Sequence, residues 1–494
     1  MQKKYYLTTP LYYVNSNPHI GHAYTTMAAD ILARHLRATQ RPVFLQTGTD
    51  EHGSNIEKTA AEKNIPPKQW CDDISDNFRT LWKTLGINYD YFIRTTDKQH
   101  EEAVQAVFEK LIKTGDIYKS EYEGLYCKSC EAFYTESELQ DGKCPVHHRP
   151  VEAIKEESYF FRLSKYQDAL LKYYEEHPDF LSPSYRAREI INFVKAGLTD
   201  LSVSRTKVAW GIQVKSDPAH TVYVWFDALL NYITGRGYNP DHISEEFKEY
   251  WPADLHLVGK EIFRFHGVIW PAMLMALGLE LPKKVYAHGW WTVNGDKMSK
   301  STGNFIRAED VVADYGLDAF RYFTFREVTF GQDGDFSMEA FRRRYNSDLA
   351  NDLGNLFSRI INLVNRNLDE RLPEDLSSKT YAEFAALTDK INRSIEDLQF
   401  SDALETIWNA ISNLNKIVAE KKPWEMAKKA PEALPGFLNE MVWCLRLIAG
   451  WIEPFMPATS AAMKVHLGTK KAVSEGEKIQ PLFPRKAENR PEGK

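Results

Sequence analysis

Residues 4–14 and 42–49 are rich in aromatic and β-branched side chains, are bounded by Pro and Gly, and are separated by a helical stretch over 23–39. Two strands joined through a helix form a β-α-β unit, the beginning of a parallel sheet. From about Thr114 the texture changes to charged, Cys-containing sequence. A buried-strand run returns only at Thr221–Phe226, Thr-Val-Tyr-Val-Trp-Phe, so the stretch between is expected to be an insertion within the first domain. Alternating β and α signals continue to about Phe325, followed by the basic stretch Arg342–Arg344 and then helical periodicity to about residue 465. In that last region Leu349, Leu353, Leu356, Phe357, Ile360 and Val364 recur at steps of three and four as one apolar stripe, with Asn355 and Arg359 on the opposite face. The final thirty or so residues are rich in Lys, Glu, Pro and Gly and read as frayed.

A length of 494 residues accommodates roughly three domains. With 62 Lys and Arg against 68 Asp and Glu the formal charge is −6, which excludes a globally basic nucleic-acid coat but leaves local patches open. Five cysteines in so long a chain are no disulfide framework. Three of them, Cys127, Cys130 and Cys144, crowd into one segment, which favours a metal and a reducing compartment. The N-terminus carries two lysines but no apolar run with a small-residue cleavage site. The most apolar stretches, 268–281 and 441–457, are too short for a membrane span or carry Arg446 and Glu453. A soluble, cytoplasmic protein with no membrane partner is expected.

Neither G-x-G-x-x-G after the first strand nor G-x-x-x-x-G-K-[ST] is present, so phosphates must be held without a glycine-rich loop. The first strand instead leads through Asn17-Pro18-His19-Ile20-Gly21-His22 into the first helix, placing two imidazoles where a helix N-terminus already favours anions. Much later, after the hairpin-type turn Asn294-Gly295-Asp296, comes Lys297-Met298-Ser299-Lys300-Ser301, a cationic loop suited to a triphosphate. Alone, the first is a Pro-terminated turn with solvated histidines and the second a solvated loop. Together they make the sequence resemble the class I aminoacyl-tRNA synthetases. It is similar to the methionyl-tRNA synthetase family in particular through Thr9-Pro10-Leu11-Tyr12-Tyr13-Val14-Asn15, Gly48-Thr49-Asp50-Glu51-His52-Gly53, Tyr223-Val224-Trp225-Phe226-Asp227-Ala228, Gly259-Lys260-Glu261-Ile262-Phe263-Arg264-Phe265-His266 and Tyr286-Ala287-His288-Gly289-Trp290.

The resemblance implies a class I Rossmann-like parallel-sheet catalytic domain over 1–114 and 221–325, a zinc-knuckle connective insertion over 115–220, a linker over 326–345, an all-α anticodon-binding domain over 346–465 and a polar tail over 466–494. It implies a methionine pocket of Leu11, Tyr13, Asp50, Trp225, Ala228, Leu229, Tyr232, Ile262 and His266. The spacings allow this: Ala228, Leu229 and Tyr232 fall on one face of a helix that Asp227 could N-cap after the buried strand, and Ile262 and His266 are four apart on another. Asp50 would take the substrate ammonium, while aromatic and apolar residues enclose the thioether. The resemblance further implies that methionine is activated with ATP and Mg²⁺ to methionyl-adenylate and passed to tRNA(Met). His19, Gly21, His22, Lys297 and Lys300 would handle ATP, with the two histidines and two lysines catalytic.

Cys127-x-x-Cys130 and Cys144-Pro-Val-His147 have zinc-knuckle spacing, since each tight turn presents two ligands to one tetrahedral ion. The spacing leaves His147 or His148 as fourth ligand, and the resemblance implies His147, with one structural zinc per chain. It also implies that Asn355, Arg359 and Trp424 read the tRNA anticodon, the aromatic stacking on an unpaired base. Fewer than forty residues after Pro457 point to a monomer. Other class I synthetases, and a synthetase-like protein that binds tRNA without charging it, share parts of this pattern. The leucine, isoleucine and valine enzymes carry a large editing insertion, and the intact histidines and lysines argue against a non-charging relative.

Overall fold

The N-terminal strand β1 (Tyr5–Tyr13) pairs in parallel with β2 (Val43–Asp50), as the β-α-β pattern requires. The computed structural model describes residues 4–18, 20–127, 132–134, 136, 139–145, 148–293, 296–297, 307–367, 378–468 and 480–486. The chain forms two compact units, Met1–Pro18 with Arg41–His288 and His19–Gln40 with Gly289–Lys494.

In the first unit, β3 (Tyr91–Arg94), β4 (Leu181–Ser182), β5 (Leu255–Gly259) and β6 (Val285–His288) complete a six-stranded sheet of order β3-β2-β1-β5-β6-β4. Every pairing in it is parallel. The order runs outward from β1 to β3 and resumes on the other side of β1, so the direction of winding reverses between β1 and β5. In such sheets the strand ends at that reversal form a natural ligand crevice.

Pro10 lies within the central strand, where it supplies no N–H to the ladder. The strand absorbs it by a register shift: Thr8 pairs with Gln46, but Leu11 pairs with Gly48 and Tyr13 with Asp50. One extra residue on β1 is a bulge. Gly48 has its own constraint, because a Cβ there would stand 2.0 Å from the Ile93 carbonyl oxygen of β3. The core beneath the sheet is one large apolar cluster that includes Tyr6, Phe108, Phe161, Phe226, Tyr232 and Trp270.

The expected insertion contains a four-stranded antiparallel sheet in which Ile117–Cys127 pairs with Ala132–Tyr134 and with Glu152–Phe161, and Leu201–Ser202 joins the far edge. The buried run at 221–226 departs from expectation. Its strand is Asp217–Val222, in a small antiparallel sheet with Ser204–Arg205 and Gln213–Val214. The helix Val224–Leu229 begins two residues later. A continuous apolar run fits a buried strand or a buried helix equally, and here it is partly each. Asp227 accordingly lies inside the first turn rather than at the N-cap, which is Tyr223.

The second unit is largely helical and contains α1 (Ile20–Ala38). Its apolar stripe is as expected: Leu349, Leu353, Leu356, Phe357 and Ile360 are buried along Tyr345–Gly354 and the continuing helix Asn355–Asn367, while Val364 is half-buried. Arg321, fully buried, donates to Asp30 of α1 (2.7 Å) and to the carbonyls of Pro454 and Phe455 (2.9 Å each), so its charge is neutralised and its donors are used. The polar tail is not uniformly frayed. Phe483 is buried, the Tyr345 hydroxyl donates to the Pro484 carbonyl (2.9 Å), and Asn346 exchanges two hydrogen bonds with the Lys486 backbone. One apolar residue in a charged segment is enough to dock it. Among the described residues no helix is long and apolar enough to cross a membrane.

Candidate active site

The expected methionine-pocket residues all fall in the first unit, five of them at or just beyond the C-terminal ends of the three central strands. β1 ends with Leu11 and Tyr13, β2 ends with Asp50, and β5 leads into Ile262 and His266. The helices Val224–Leu229 and Asn231–Thr234 contribute Trp225, Ala228, Leu229 and Tyr232. Tyr13, Trp225 and Ile262 are partly buried and pack against the apolar cluster that contains Leu229 and Tyr232. Trp225 stacks on Phe265, with ring centroids 3.8 Å apart and planes 9° from parallel.

The group around Tyr232 and His266 has a defined pattern of donors. His266 Nδ1 is 2.9 Å from the Ile262 carbonyl, which can only accept, so Nδ1 carries the proton. Burial pushes the His266 pKa down to about 4, against the weaker opposing effect of that carbonyl. The ring is therefore neutral near pH 7, and its bare Nε2 accepts from the Tyr232 hydroxyl at 2.7 Å. Burial holds the Tyr232 phenol far above its ordinary range, so it remains a donor. The Tyr232 ring also lies against His256 (4.2 Å between centroids), which is buried and likewise neutral.

The strand end at Asp50 is charged and clamped. Asp50 is followed by Glu51, whose fully buried carboxylate accepts two parallel hydrogen bonds from Arg94 (2.7 and 2.8 Å) and one each from the Thr49 and Thr96 hydroxyls. His52 Nδ1 donates to Asp227 (2.7 Å), and Gly53, at φ 113°, donates its N–H to the Trp210 carbonyl (3.0 Å). The Trp210 indole N–H in turn donates to the Glu51 carbonyl at 2.6 Å. These clamps were missed in the sequence. The signal was available in Gly48-Thr49-Asp50-Glu51-His52-Gly53, three consecutive titratable residues between glycines at a strand end.

The ATP-handling candidates belong to the second unit. Gly21 and His22 lie in the first turn of α1, half-buried, and the His22 carbonyl accepts the Thr26 hydroxyl (3.1 Å). Asp296–Lys297 pairs antiparallel with Trp291–Val293, with Lys297 opposite Thr292. His19 and Lys300 lie outside the described residues.

Of the zinc candidates, Cys127 and Cys144 are buried, whereas Cys130 and His147 lie outside the described residues. His148 is exposed, at φ 50°, and its N–H closes a turn onto the Cys144 carbonyl (2.9 Å). Among the described residues no group of three or more His, Cys, Asp or Glu is arranged to hold a metal ion.

Of the anticodon candidates, Asn355 is exposed and Arg359 half-buried on Asn355–Asn367. That helix packs against Pro423–Lys429, where Trp424 is 43% exposed, an unusual position for a residue that only fills a core. Arg344 is committed within the fold to Glu327 (2.8 Å) and Asp348 (3.3 Å).

A winding reversal with a carboxylate, a neutral imidazole and stacked aromatics near its strand ends is the arrangement of a ligand-binding parallel α/β sheet. The family tRNA synthetases class I (M) matches residues 5–153 and 137–361, and the chain belongs to that family. Similar curated proteins are the methionine-tRNA ligases of Caldanaerobacter subterraneus (53% identity, covering 97% of this chain and 76% of that protein) and Thermotoga maritima (48%, 92% and 74%). Among solved structures, Mycobacterium tuberculosis methionyl-tRNA synthetase in complex with methionyl-adenylate superimposes with a TM-score of 0.91 at 41% identity, covering 98% of this chain and 100% of that one.

The low His266 pKa has a measurable consequence. The unfolded chain takes up this proton near pH 6.5, the folded one only near pH 4. Stability from the neutral ring is therefore complete above about 6.5 and is lost as pH falls from there to about 4, by up to ~1.4 kcal/mol per pH unit. Chemical denaturation of wild type and His266→Gln across that range should diverge by this slope, and parallel profiles would refute it.

Proposed function

We propose that this chain activates L-methionine with ATP to methionyl-adenylate and pyrophosphate and then transfers methionine to the 3′-terminal adenosine of tRNA(Met), acting as a cytoplasmic monomer. The observation that supports this reading is the set of residues contributed by the ends of β1 and β2, the segment after β5 and the two short helices Val224–Leu229 and Asn231–Thr234. It offers a carboxylate, Asp50, for the ammonium, and a wall of Ala228, Leu229 and Tyr232 with the Tyr232–His266–Ile262 chain for an uncharged side chain. A neutral imidazole and a phenol suit a weakly polar thioether better than a charged group. The relatives and the adenylate-bound neighbour support the same substrate.

In the first step a methionine carboxylate oxygen attacks the α-phosphorus of ATP. The bond from that phosphorus to the bridging oxygen breaks, and pyrophosphate leaves. In the second, a ribose hydroxyl of the tRNA attacks the activated carbonyl, a proton is lost from that hydroxyl and AMP departs. No protein nucleophile is consumed, so catalysis is positioning plus stabilisation of phosphoryl charge. His19 and His22 would meet phosphate oxygens at the start of α1, where Gly21 leaves room for the nucleotide. Lys297 and Lys300 would neutralise the β- and γ-phosphates. Mg²⁺ accompanies the ATP and neutralises charge on its phosphates.

On this reading 1–114 with 221–325 is the catalytic domain, 115–220 its insertion, 326–345 a linker, 346–465 the anticodon-binding domain and 466–494 a tail. Buried Cys127 ends the strand Ile117–Cys127 and buried Cys144 opens a turn closed by the His148 N–H, and such thiols suit a soft divalent cation. Cys127, Cys130, Cys144 and His147 would hold one structural zinc, which supplies folding energy and no chemistry. Exposed Trp424, on a helix packed against the one that carries Asn355 and Arg359, fits an unpaired base.

ATP–pyrophosphate exchange surveyed over the twenty amino acids should be led by methionine, and Lys300→Ala should slow it about 10²–10³-fold with little change in the methionine KM. A survey led by another amino acid, or silent with all of them, overturns the reading. Trp424→Ala should leave exchange intact while cutting tRNA charging at least about tenfold, one base stack being worth ~1–3 kcal/mol. Freshly purified protein should contain about one zinc per chain by metal analysis, and a substoichiometric value would count against the knuckle.

A further inference from the structure

Asp227 is 1% exposed, and each of its carboxylate oxygens takes an imidazole N–H: Oδ2 from His52 Nδ1 at 2.7 Å and Oδ1 from His100 Nε2 at 2.6 Å. His100, on Lys98–Thr114, has its other ring nitrogen 2.6 Å from the Thr234 hydroxyl, and His52 Nε2 faces Glu101 at 3.6 Å. All three titratable members are buried, His52 at 3% and His100 at 2% exposure. Apolar residues of similar volume generally stabilise a fold at least as well as a buried ionic group, so such a cluster in an apolar surround suggests a role in fixing geometry.

Its placement indicates which geometry. His52 is two residues beyond Asp50, the ammonium anchor. Asp227 stands between Trp225 and Ala228, and Thr234 is two residues beyond Tyr232. The network therefore ties the loop that carries the anchor to both short helices that carry the thioether wall, and none of its members is itself assigned to the pocket. The loop is braced from a second side by Trp210, whose ring meets His52 edge to face. The distance from anchor to wall is thus set by the protein before any substrate arrives.

We propose that Asp227, His52 and His100 are positioning residues that hold Asp50 at a fixed distance from the wall formed by Ala228, Leu229 and Tyr232, and so set the side-chain length the enzyme accepts. The proposal rests on the methionine reading above. An amino acid bound at both ends is measured against that distance. One methylene too many or too few is ordinarily discriminated by only about 10- to 200-fold in an apolar pocket, and that discrimination is lost when the walls can shift. A role in stability alone would instead depress activity equally for every amino acid.

ATP–pyrophosphate exchange is measured with L-methionine, with L-ethionine, one methylene longer, and with S-methyl-L-cysteine, one shorter. Asp227→Asn and His100→Ala are expected to raise the methionine KM about tenfold, the scale of one lost hydrogen bond to a charged group. They should leave the ATP KM unchanged and compress the kcat/KM preference for methionine over both homologues. His100→Gln, whose amide N–H can still reach Asp227, should keep the wild-type preference. If Asp227→Asn does not fold, His100→Ala carries the test by itself, since His52 still satisfies the carboxylate. A preference unchanged in the Ala variant, whatever its overall activity, overturns the proposal. Wild-type protein without methionine-dependent exchange overturns the functional reading instead.

Discussion

The parallel pairing of β1 with β2 on one side and β5 on the other is the constraint on which the amino-acid-binding unit depends. It brings three strand ends to one edge although Tyr13 and Gly259, the ends of β1 and β5, are 246 positions apart in the chain. Parallel strands cannot be joined by tight turns, so the chain must leave the sheet after each one, and those excursions supply the walls of the site. The bulge at Pro10 is part of the same arrangement. Without the extra residue, Leu11 and Tyr13 would exchange faces with their neighbours, and Tyr13 would no longer stand opposite Asp50.

What was legible in the sequence follows from how local each signal is. The first β-α-β unit and the apolar stripe from Leu349 to Val364 depend on neighbours within a few turns, and each is where the pattern placed it, whereas the exposure of Trp424 runs against its local reading as a packing residue. The pocket residues were reached through resemblance, because Trp225 and Ile262 look like ordinary core in isolation. The run at 221–226 was misjudged as a single strand because unbroken apolar sequence has no period. The strand ends at Val222, and Asp227 lies inside a helix because histidines 175 and 127 residues away receive its charge. No local rule anticipates a partner at that separation.

The formal charge of −6 is likewise an average that conceals how charges are used. Arg321, Arg94 and Arg344 are consumed within the fold by Asp30, Glu51 and Asp348 with Glu327. Such arginines hold elements together and are removed from any account of nucleic-acid attraction. What remains for an RNA partner is the solvent-facing set, of which Arg359 and Trp424 lie on two helices that pack together. A modest number of local contacts is sufficient where recognition is of unpaired bases, since stacking does not depend on net charge.

The two ends of the amino-acid site show how one residue type serves opposite purposes. His266 is buried against a carbonyl and a phenol, neither of which can stabilise a cation, so desolvation prevails and the ring stays neutral down to about pH 4. His52 is buried to a similar degree, and desolvation opposes its charge too. The Asp227 carboxylate at 2.7 Å outweighs that penalty and raises its pKa to about 10. Asp227 is held below the usual carboxylate range by the same pairing, the charged imidazole overcoming the burial that would otherwise raise it. On the proposed reading, the ammonium end of the site is therefore built from fixed, mutually compensated charges and the thioether end from neutral dipoles. A substrate with a charged side chain would meet no counter-charge at the His266 end, whereas an uncharged one of the right length loses nothing on entering. On that reading, selectivity for side-chain charge follows from the partners of two histidines, and selectivity for length from what holds the two ends apart.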